Sequence, residues 1–241
     1  LYPEQNNILK SDENFAKFIG FVVGDGYISQ KGKIRLTGTD KTLLEDMAFL
    51  ICKKYGWLYD IKTYGPGKFE GCIKNVWQLN IKNDKNFGMW LRNEIYTKNS
   101  FEKKIPRFIL NSEKNIKKAF FDGYYLADGR KKGNEKYEYK GFTTVSATLC
   151  LGLNYIFKSF SNQEIKTKTS YNEKDLGRCY KSLFGTPSPS GKGIALKKIK
   201  NEIVKIENVK NKTGKFYDLT TETKTFATGP NLFKIHNSPR R

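Results

Sequence analysis

Two stretches of this chain share one hydrophobic pattern. Residues 15–26 read Phe-Ala-Lys-Phe-Ile-Gly-Phe-Val-Val-Gly-Asp-Gly, and residues 118–129 read Lys-Ala-Phe-Phe-Asp-Gly-Tyr-Tyr-Leu-Ala-Asp-Gly. Each is an apolar run of helix length with small residues four apart, closing on Asp-Gly. Gly20 matches Gly123, Gly24 matches Ala127, Asp25 matches Asp128 and Gly26 matches Gly129, every pair standing 103 residues apart. A register held at four positions predicts a duplicated unit.

The segments downstream of each run repeat as well. Lys33–Thr37 and Lys136–Thr144 have strand character. Asp40–Tyr55 and Ser146–Phe160 predict amphipathic helices, with Leu43, Leu44, Met47, Leu50 and Ile51 forming the apolar stripe of the first. Leu58–Tyr64 and Gln163–Tyr171 follow as strands, and the first unit adds a longer strand over Cys72–Lys82. The second unit is expected to be shorter and irregular after residue 171, and residues 185–193 (GTPSPSGKG) form a loop by composition, without P-loop spacing. The expected class is α+β, built from two αββαββ units with antiparallel sheets.

The strands alternate. Ile73, Trp77, Leu79 and Ile81 take one side, and Lys74, Gln78, Asn80 and Lys82 the other; Lys33 and Arg35 oppose Ile34 and Leu36. One face therefore packs on helices and the other meets solvent. A solvent face of Lys, Arg, Gln and Asn suits phosphates and base edges, and Lys62 on the next strand, with Lys166 and Lys168 in the second unit, extends the set. Any single strand of this kind is also an ordinary wet sheet face. Composition shifts the balance: 44 Lys plus Arg against 24 Asp plus Glu leave a formal charge of +20, which favours an extended polyanionic partner, nucleic acid before membrane, and recurrence of such faces in both units points to double-stranded DNA.

With 241 residues, 38% hydrophobic and 14% aromatic, the chain can bury a core and is too apolar for a disordered basic tail. No run of eighteen apolar residues exists, Leu1-Tyr2-Pro3-Glu4 has no signal-peptide character, and Cys52, Cys72, Cys150 and Cys179 lack CxxC spacing. These features favour buried thiols in a reducing, cytoplasmic compartment. The single histidine, His236, excludes a histidine-rich metal centre.

The Asp-Gly ends carry the candidate chemistry. Small residues four apart let two helices approach closely, a steric logic also seen in membranes. Side by side, the helices bring Asp25 and Asp128 together. A carboxylate at a helix C-terminus faces the negative end of the dipole, and two together repel. A divalent cation relieves both costs, and oxygen ligands favour Mg²⁺. Carboxylate-held metal beside a phosphate is equipment for phosphodiester hydrolysis. Gly26 and Gly129 fit a tight exit from each helix.

The paired motifs, Phe18–Gly26 and Phe121–Gly129, resemble those of the LAGLIDADG homing endonucleases in their single-chain, pseudo-twofold form. The resemblance implies motif helices paired at the domain interface and saddle-shaped antiparallel sheets astride DNA. It also implies Mg²⁺-dependent double-strand cleavage by a monomer at a long asymmetric target. The family's acidic position falls on Asp25 and Asp128, and the backbone carbonyls of Gly24 and Ala127 would assist the metals. The segment Glu102-Lys103-Lys104-Ile105-Pro106 resembles the Lys-x-Ile-Pro element of intein-borne endonucleases. That places Lys103 near a scissile phosphate, with Lys104 the near alternative and no counterpart evident in the second unit.

The tail has a second resemblance. Tyr217-Asp218-Leu219, Phe226-Ala227-Thr228-Gly229 and His236-Asn237-Ser238 are similar to the C-terminal splicing blocks of inteins. The Asn237 side-chain amide can attack its own carbonyl, with His236 as proton donor or polariser and the Ser238 hydroxyl as acyl acceptor. The resemblance assigns Asp218 to coupling the steps. Lys224 stands where the block usually has a further histidine, and no N-terminal splicing block is present. The implied organisation is an N-terminal segment (1–9), endonuclease units over 10–112 and 113–193, a partial β-rich, Hint-type splicing segment over 194–237 and the start of the host sequence at 238–241. The partners would then be a separate N-terminal intein fragment, in a split or shortened intein, and the host exteins. The alternative is an inactive LAGLIDADG-fold DNA- or RNA-binding protein, maturase-like or regulatory.

Overall fold

The computed structural model describes residues 12–66, 73–97, 102–131, 138–172, 177–185, 225–228 and 233–236. Helix α1 (Glu13–Asp25) opens at Asp12, whose carboxylate accepts from the Phe15 N–H at 2.6 Å, a side-chain N-cap. Strands β1 (Gly26–Ile28) and β2 (Ile34–Gly38), helix α2 (Lys41–Tyr55) and strands β3 (Tyr59–Tyr64) and β4 (Val76–Ile81) follow, then helix α3 (Lys85–Ile95). Short helix α4 (Arg107–Leu110) leads into α5 (Lys114–Asp128), β5 (Gly141–Thr144), α6 (Ala147–Phe160), β6 (Glu164–Asn172) and β7 (Gly177–Gly185). Strands β8 (Thr225–Thr228) and β9 (Phe233–His236) pair as an antiparallel hairpin. This is a mixed α and β fold with antiparallel sheets.

Helices α1 and α5 run parallel in backbone-to-backbone contact. A Cβ placed on Gly20 would stand 1.9 Å from the Phe120 carbonyl oxygen, and one on Gly123 1.8 Å from the Lys17 carbonyl oxygen. Further along, a Cβ on Gly24 would meet that of Ala127 at 2.5 Å. The small residues of the repeat therefore form the crossing itself. Around it Phe15, Phe18, Ile19, Val22, Phe120, Phe121 and Tyr124 are buried in one core.

Each motif helix feeds a sheet. The first has strand order β1-β2-β4-β3, the second β5-β7-β6, all antiparallel. Ile28, Ile34, Leu36, Leu79 and Ile81 bury the inner face of the first under α2 and α3, whose Leu44, Ile51, Phe87 and Leu91 complete that layer. In the second, Phe142, Ile165 and Phe184 pack on α6, and the Phe157 and Phe184 rings stack at 3.8 Å.

Several elements differ from the sequence expectation. Strand β4 begins at Val76, so Ile73 lies outside it and is 86% exposed. The described part of the strand expected over Lys136–Thr144 is only Gly141–Thr144. The described residues of the second unit after 171 are not irregular: β7 spans nine residues as the central strand of its sheet. Its inward positions include buried Ser182 beside Phe184, and a polar residue in the core face breaks the alternation that reveals a strand. Gly26 and Gly129 leave their helices in extended conformation, with φ of −81° and −68°. Glycine is required there for space, because a Cβ would lie 2.5 Å from Val22 Cα or 2.3 Å from the Tyr125 carbonyl oxygen.

The helix contact yields a stability test. Gly20→Ala and Gly123→Ala should each destabilise the fold by about 1–3 kcal/mol or more in urea unfolding, since neither carbonyl can yield without moving a helix. Gly65→Ala, which meets nothing within 4 Å, should stay within about 0.5 kcal/mol of the parent chain. Equal stability of all three variants would contradict the packing.

Candidate active site and nucleic-acid face

The parallel packing brings the two helix ends together, and with them Asp25 and Asp128. The carboxylates are within hydrogen-bonding reach, each influencing the other's titration. Two ammonium groups join them. Lys103 donates to the carbonyls of Val23 and Gly24 at 2.8 and 2.9 Å, and Lys131 donates to those of Tyr125 and Leu126. Both lysines act electrostatically on both carboxylates.

Lys103 is held firmly. Its backbone bridges Tyr96, the Lys104 N–H donates to the Ile95 carbonyl at 2.8 Å, and the Ser146 hydroxyl donates to the Lys103 carbonyl at 2.6 Å. Ile105 is buried beside Gly152 of α6 and Pro106 caps α4. The segment thus ties the first unit to the second and aims Lys103, rather than Lys104, at the end of α1. A groove beside it is lined by Val23, Lys103, Asp128, Thr143, Thr144 and Leu149.

Both carboxylates keep one side open to solvent, yet the protein packed beneath them disfavours their charge. That desolvation is the largest cause raising Asp25, against the opposing Lys103 charge. In Asp128, desolvation and then the Asp25 charge raise the pKa to about 6. Burial likewise lowers both lysines, against the attraction of the two carboxylates. The negative charge is thus incompletely compensated.

The site's chemistry fits a hard divalent cation. Two carboxylates stand beside the Gly24 and Ala127 carbonyls, and an ion such as Mg²⁺ keeps waters and accepts phosphate oxygens rather than needing a full protein cage. No cluster of three or more His, Cys, Asp or Glu occurs among the described residues, so protein side chains alone would supply two acidic ligands. The Gly24 carbonyl is engaged by Lys103.

The outer face of the first sheet carries the expected polar residues in ordered rows. Tyr27 pairs Arg35, Arg35 pairs Asn80 and Asn80 pairs Asp60 across four strands. The Arg35 guanidinium donates to the Asn80 amide oxygen at 3.1 Å and lies 5.9 Å from the Tyr27 ring centroid. Asn80 donates to Asp60 at 2.9 Å. Lys62 stands opposite Gln78, while exposed Lys33, Lys74 and Lys82 flank the strands. In the second sheet Lys166 and Lys168 take the outward register of β6, and Lys168 pairs Lys181 of β7. Sequence reasoning missed Tyr27, Asp60, Lys181 and Lys131. Lys181 went with the unrecognised strand; Lys131 had a signal in the basic run that follows the second Asp-Gly.

His236 ends β9, paired in backbone register with Thr225. Asp218, Asn237 and Ser238 lie outside the described residues.

Among curated proteins, a DNA polymerase of Acanthamoeba polyphaga mimivirus is 28% identical over 250 residues, covering 98% of this chain and 13% of the polymerase. A DNA polymerase of Pyrococcus horikoshii is 26% identical, covering 98% of this chain and 16% of that protein. The chain therefore spans a small fraction of the length of the relatives it matches. No family model matches. Solved structures with a similar arrangement include the homing endonuclease I-WcaI bound to its DNA recognition sequence, at 15% identity, 76% of this chain, 84% of that chain and a TM-score of 0.49. The N-terminal LAGLIDADG domain of DUF199/WhiA is another, at 12% identity, 70% of this chain, 74% of that chain and a TM-score of 0.44. Scores at this level leave these as likenesses only.

No described helix is long and apolar enough to cross a membrane.

The raised Asp128 pKa has a measurable consequence. The folded chain holds this proton more tightly than the unfolded chain, whose ordinary value is 3.8. The contribution to stability is present below that value and is lost as pH rises through about 6. In metal-free buffer, Asp128→Asn should therefore raise the Tm above pH 6, and the gain should vanish near pH 4. A gain independent of pH, or none at about pH 8, would contradict the site's electrostatics.

Proposed function

We propose that this chain is a divalent-cation-dependent, site-specific DNA endonuclease carried within a DNA polymerase sequence as part of a protein-splicing element. The observation that carries the nuclease reading is the meeting of Asp25 and Asp128 at two parallel helix ends, from which two sheets with basic outward positions extend.

Asp25 and Asp128 would hold the cation, with the Gly24 and Ala127 carbonyls nearby; when bound, it supplies Lewis-acid polarisation of a phosphoryl oxygen and of water. The chain's own groups do the rest. Lys103 places an ammonium beside developing negative charge on the phosphate. Arg35, Gln78 and Asn80 face base edges, and Lys33, Lys62, Lys74, Lys82, Lys166 and Lys168 face phosphates. The target would be a long asymmetric duplex site, because the two sheets carry different outward residues. The upward shifts come first from burial, with the Asp25 charge adding to it at Asp128, and they support cation loading because a bound cation would offset the cost of holding both carboxylates charged.

The splicing reading is supported by a polymerase match that spans 98% of the chain yet 13% of the polymerase. It gives His236, Asn237 and Ser238 defined tasks. The Asn237 amide nitrogen bonds to its own carbonyl carbon, the bond to Ser238 breaks, and His236 delivers a proton to the departing amine. The Ser238 hydroxyl takes the acyl group from an upstream ester or thioester, whose oxygen or sulfur departs with the hydroxyl's proton, and Asp218 couples these events. An N-terminal intein fragment and the flanking exteins are the partners this chemistry requires.

With Mg²⁺ and a plasmid bearing a site selected for cleavage, Asp25→Asn and Asp128→Asn should each slow cutting on the order of 10²–10³-fold or more while retaining DNA in gel shifts. Cutting at the parental rate in both variants would refute the nuclease reading. For splicing, Asn237→Ala should block release at the Ser238 junction when the chain is co-expressed with an N-terminal intein fragment. Unchanged release would refute that chemistry.

A further inference from the structure

Lys103 and Lys131 perform the same act on equivalent helix ends. Lys103 donates to the last-turn carbonyls of α1, at Val23 and Gly24. Lys131 donates to the last-turn carbonyls of α5, at Tyr125 and Leu126. In the 103-residue register, Leu126 is the partner of Val23. Each ammonium lies over an aromatic ring, Lys103 at 5.9 Å from the Tyr96 centroid and Lys131 at 5.0 Å from that of Tyr125. Each charge also acts on both carboxylates. The lysines reach these places by unrelated routes: Lys103 crosses from the segment before the second motif helix, and Lys131 follows that helix directly. In the first unit the register position of Lys131 is Ile28, which is buried. The equivalence exists in space and not in sequence.

The segment carrying Lys131 is already held without its side chain. The Arg130 N–H donates to the Gly141 carbonyl at 2.8 Å, the Tyr125 hydroxyl donates to the Arg130 carbonyl, and the Lys140 N–H donates to the Tyr125 hydroxyl at 2.9 Å. The turn therefore does not depend on the Lys131 ammonium, whose protein partners are the Tyr125 and Leu126 carbonyls at the end of α5.

We propose that Lys131 is the second unit's counterpart of Lys103, each lysine placing an ammonium at the scissile phosphate of one DNA strand. This rests on the nuclease reading. In each cut, water's oxygen bonds to phosphorus and the bridging phosphorus–oxygen bond breaks. The hydroxyl stays on the phosphate and water's other proton ends on the departing oxygen. The ammonium stabilises charge developing on the phosphoryl oxygens, so removing one lysine disables one strand's cut and spares the other.

The test is strand-resolved nicking by the full chain with Mg²⁺, on a supercoiled plasmid bearing a site selected for cleavage by the unmodified protein. The expected result is that Lys131→Ala and Lys131→Met accumulate nicked circles with the nick confined to one strand, and that linear product forms on the order of 10²-fold more slowly. Lys103→Ala should confine nicks to the opposite strand, and Lys131→Arg should restore linear product. All four variants should stay folded and retain DNA in gel shifts. Linear product from Lys131→Met at the parental rate, nicks on both strands, or equal loss of both cuts together with unfolding or loss of DNA retention would overturn the assignment. A parent chain that cuts no selected site overturns the nuclease reading itself, and the Lys131 assignment with it.

Discussion

The backbone-to-backbone contact of α1 and α5 is the constraint on which the remaining structure depends. At Gly20 and Gly123 the space for a side chain is already filled by a carbonyl of the opposite helix. That approach aligns the helices in parallel and in register, so their C-terminal ends coincide. Two carboxylates one step beyond Gly24 and Ala127 must then meet. Both sheets grow from the same place, because β1 starts directly after Asp25 and Gly129 bridges Phe142 of β5. Position, chemistry and binding face thus share one origin.

The contact assembles charges that would otherwise avoid each other. Helix C-termini and paired carboxylates are mutually unfavourable, and the protein answers only in part. Lys103 and Lys131 satisfy carbonyls at the two helix ends and attract both acids, but burial weakens the ammonium groups as it weakens the carboxylates. The result is a partly neutralised acidic pair at the surface with its pKa values displaced upward. That electrostatic deficit is what a divalent cation and a phosphate would complete together.

Much of the fold could be read before any coordinates. Two motifs in register told of duplication, and the alternation of Arg35, Gln78 and Asn80 against Leu36, Leu79 and Ile81 told which sheet face is wet. What escaped had physical reasons. Strand β7 hid because Ser182 occupies a core position, where its hydroxyl shares a hydrogen bond with that of Thr167 at 3.0 Å. Lys131 hid because its likeness to Lys103 is spatial, while a repeat search compares equal offsets. The tight helix exits expected at Gly26 and Gly129 rest on space, with both residues in extended conformation. The tail chemistry at Asn237 and Ser238 stands on residue pattern alone.

Carbon-13 NMR titration of the Asp25 and Asp128 carboxyls tests the shared site most directly. The two should titrate as a coupled pair, with Asp128 near 6, falling toward its ordinary value in Asp25→Asn and on addition of Mg²⁺. Two independent carboxyls with ordinary values, unmoved by Mg²⁺ or by that substitution, would contradict the account.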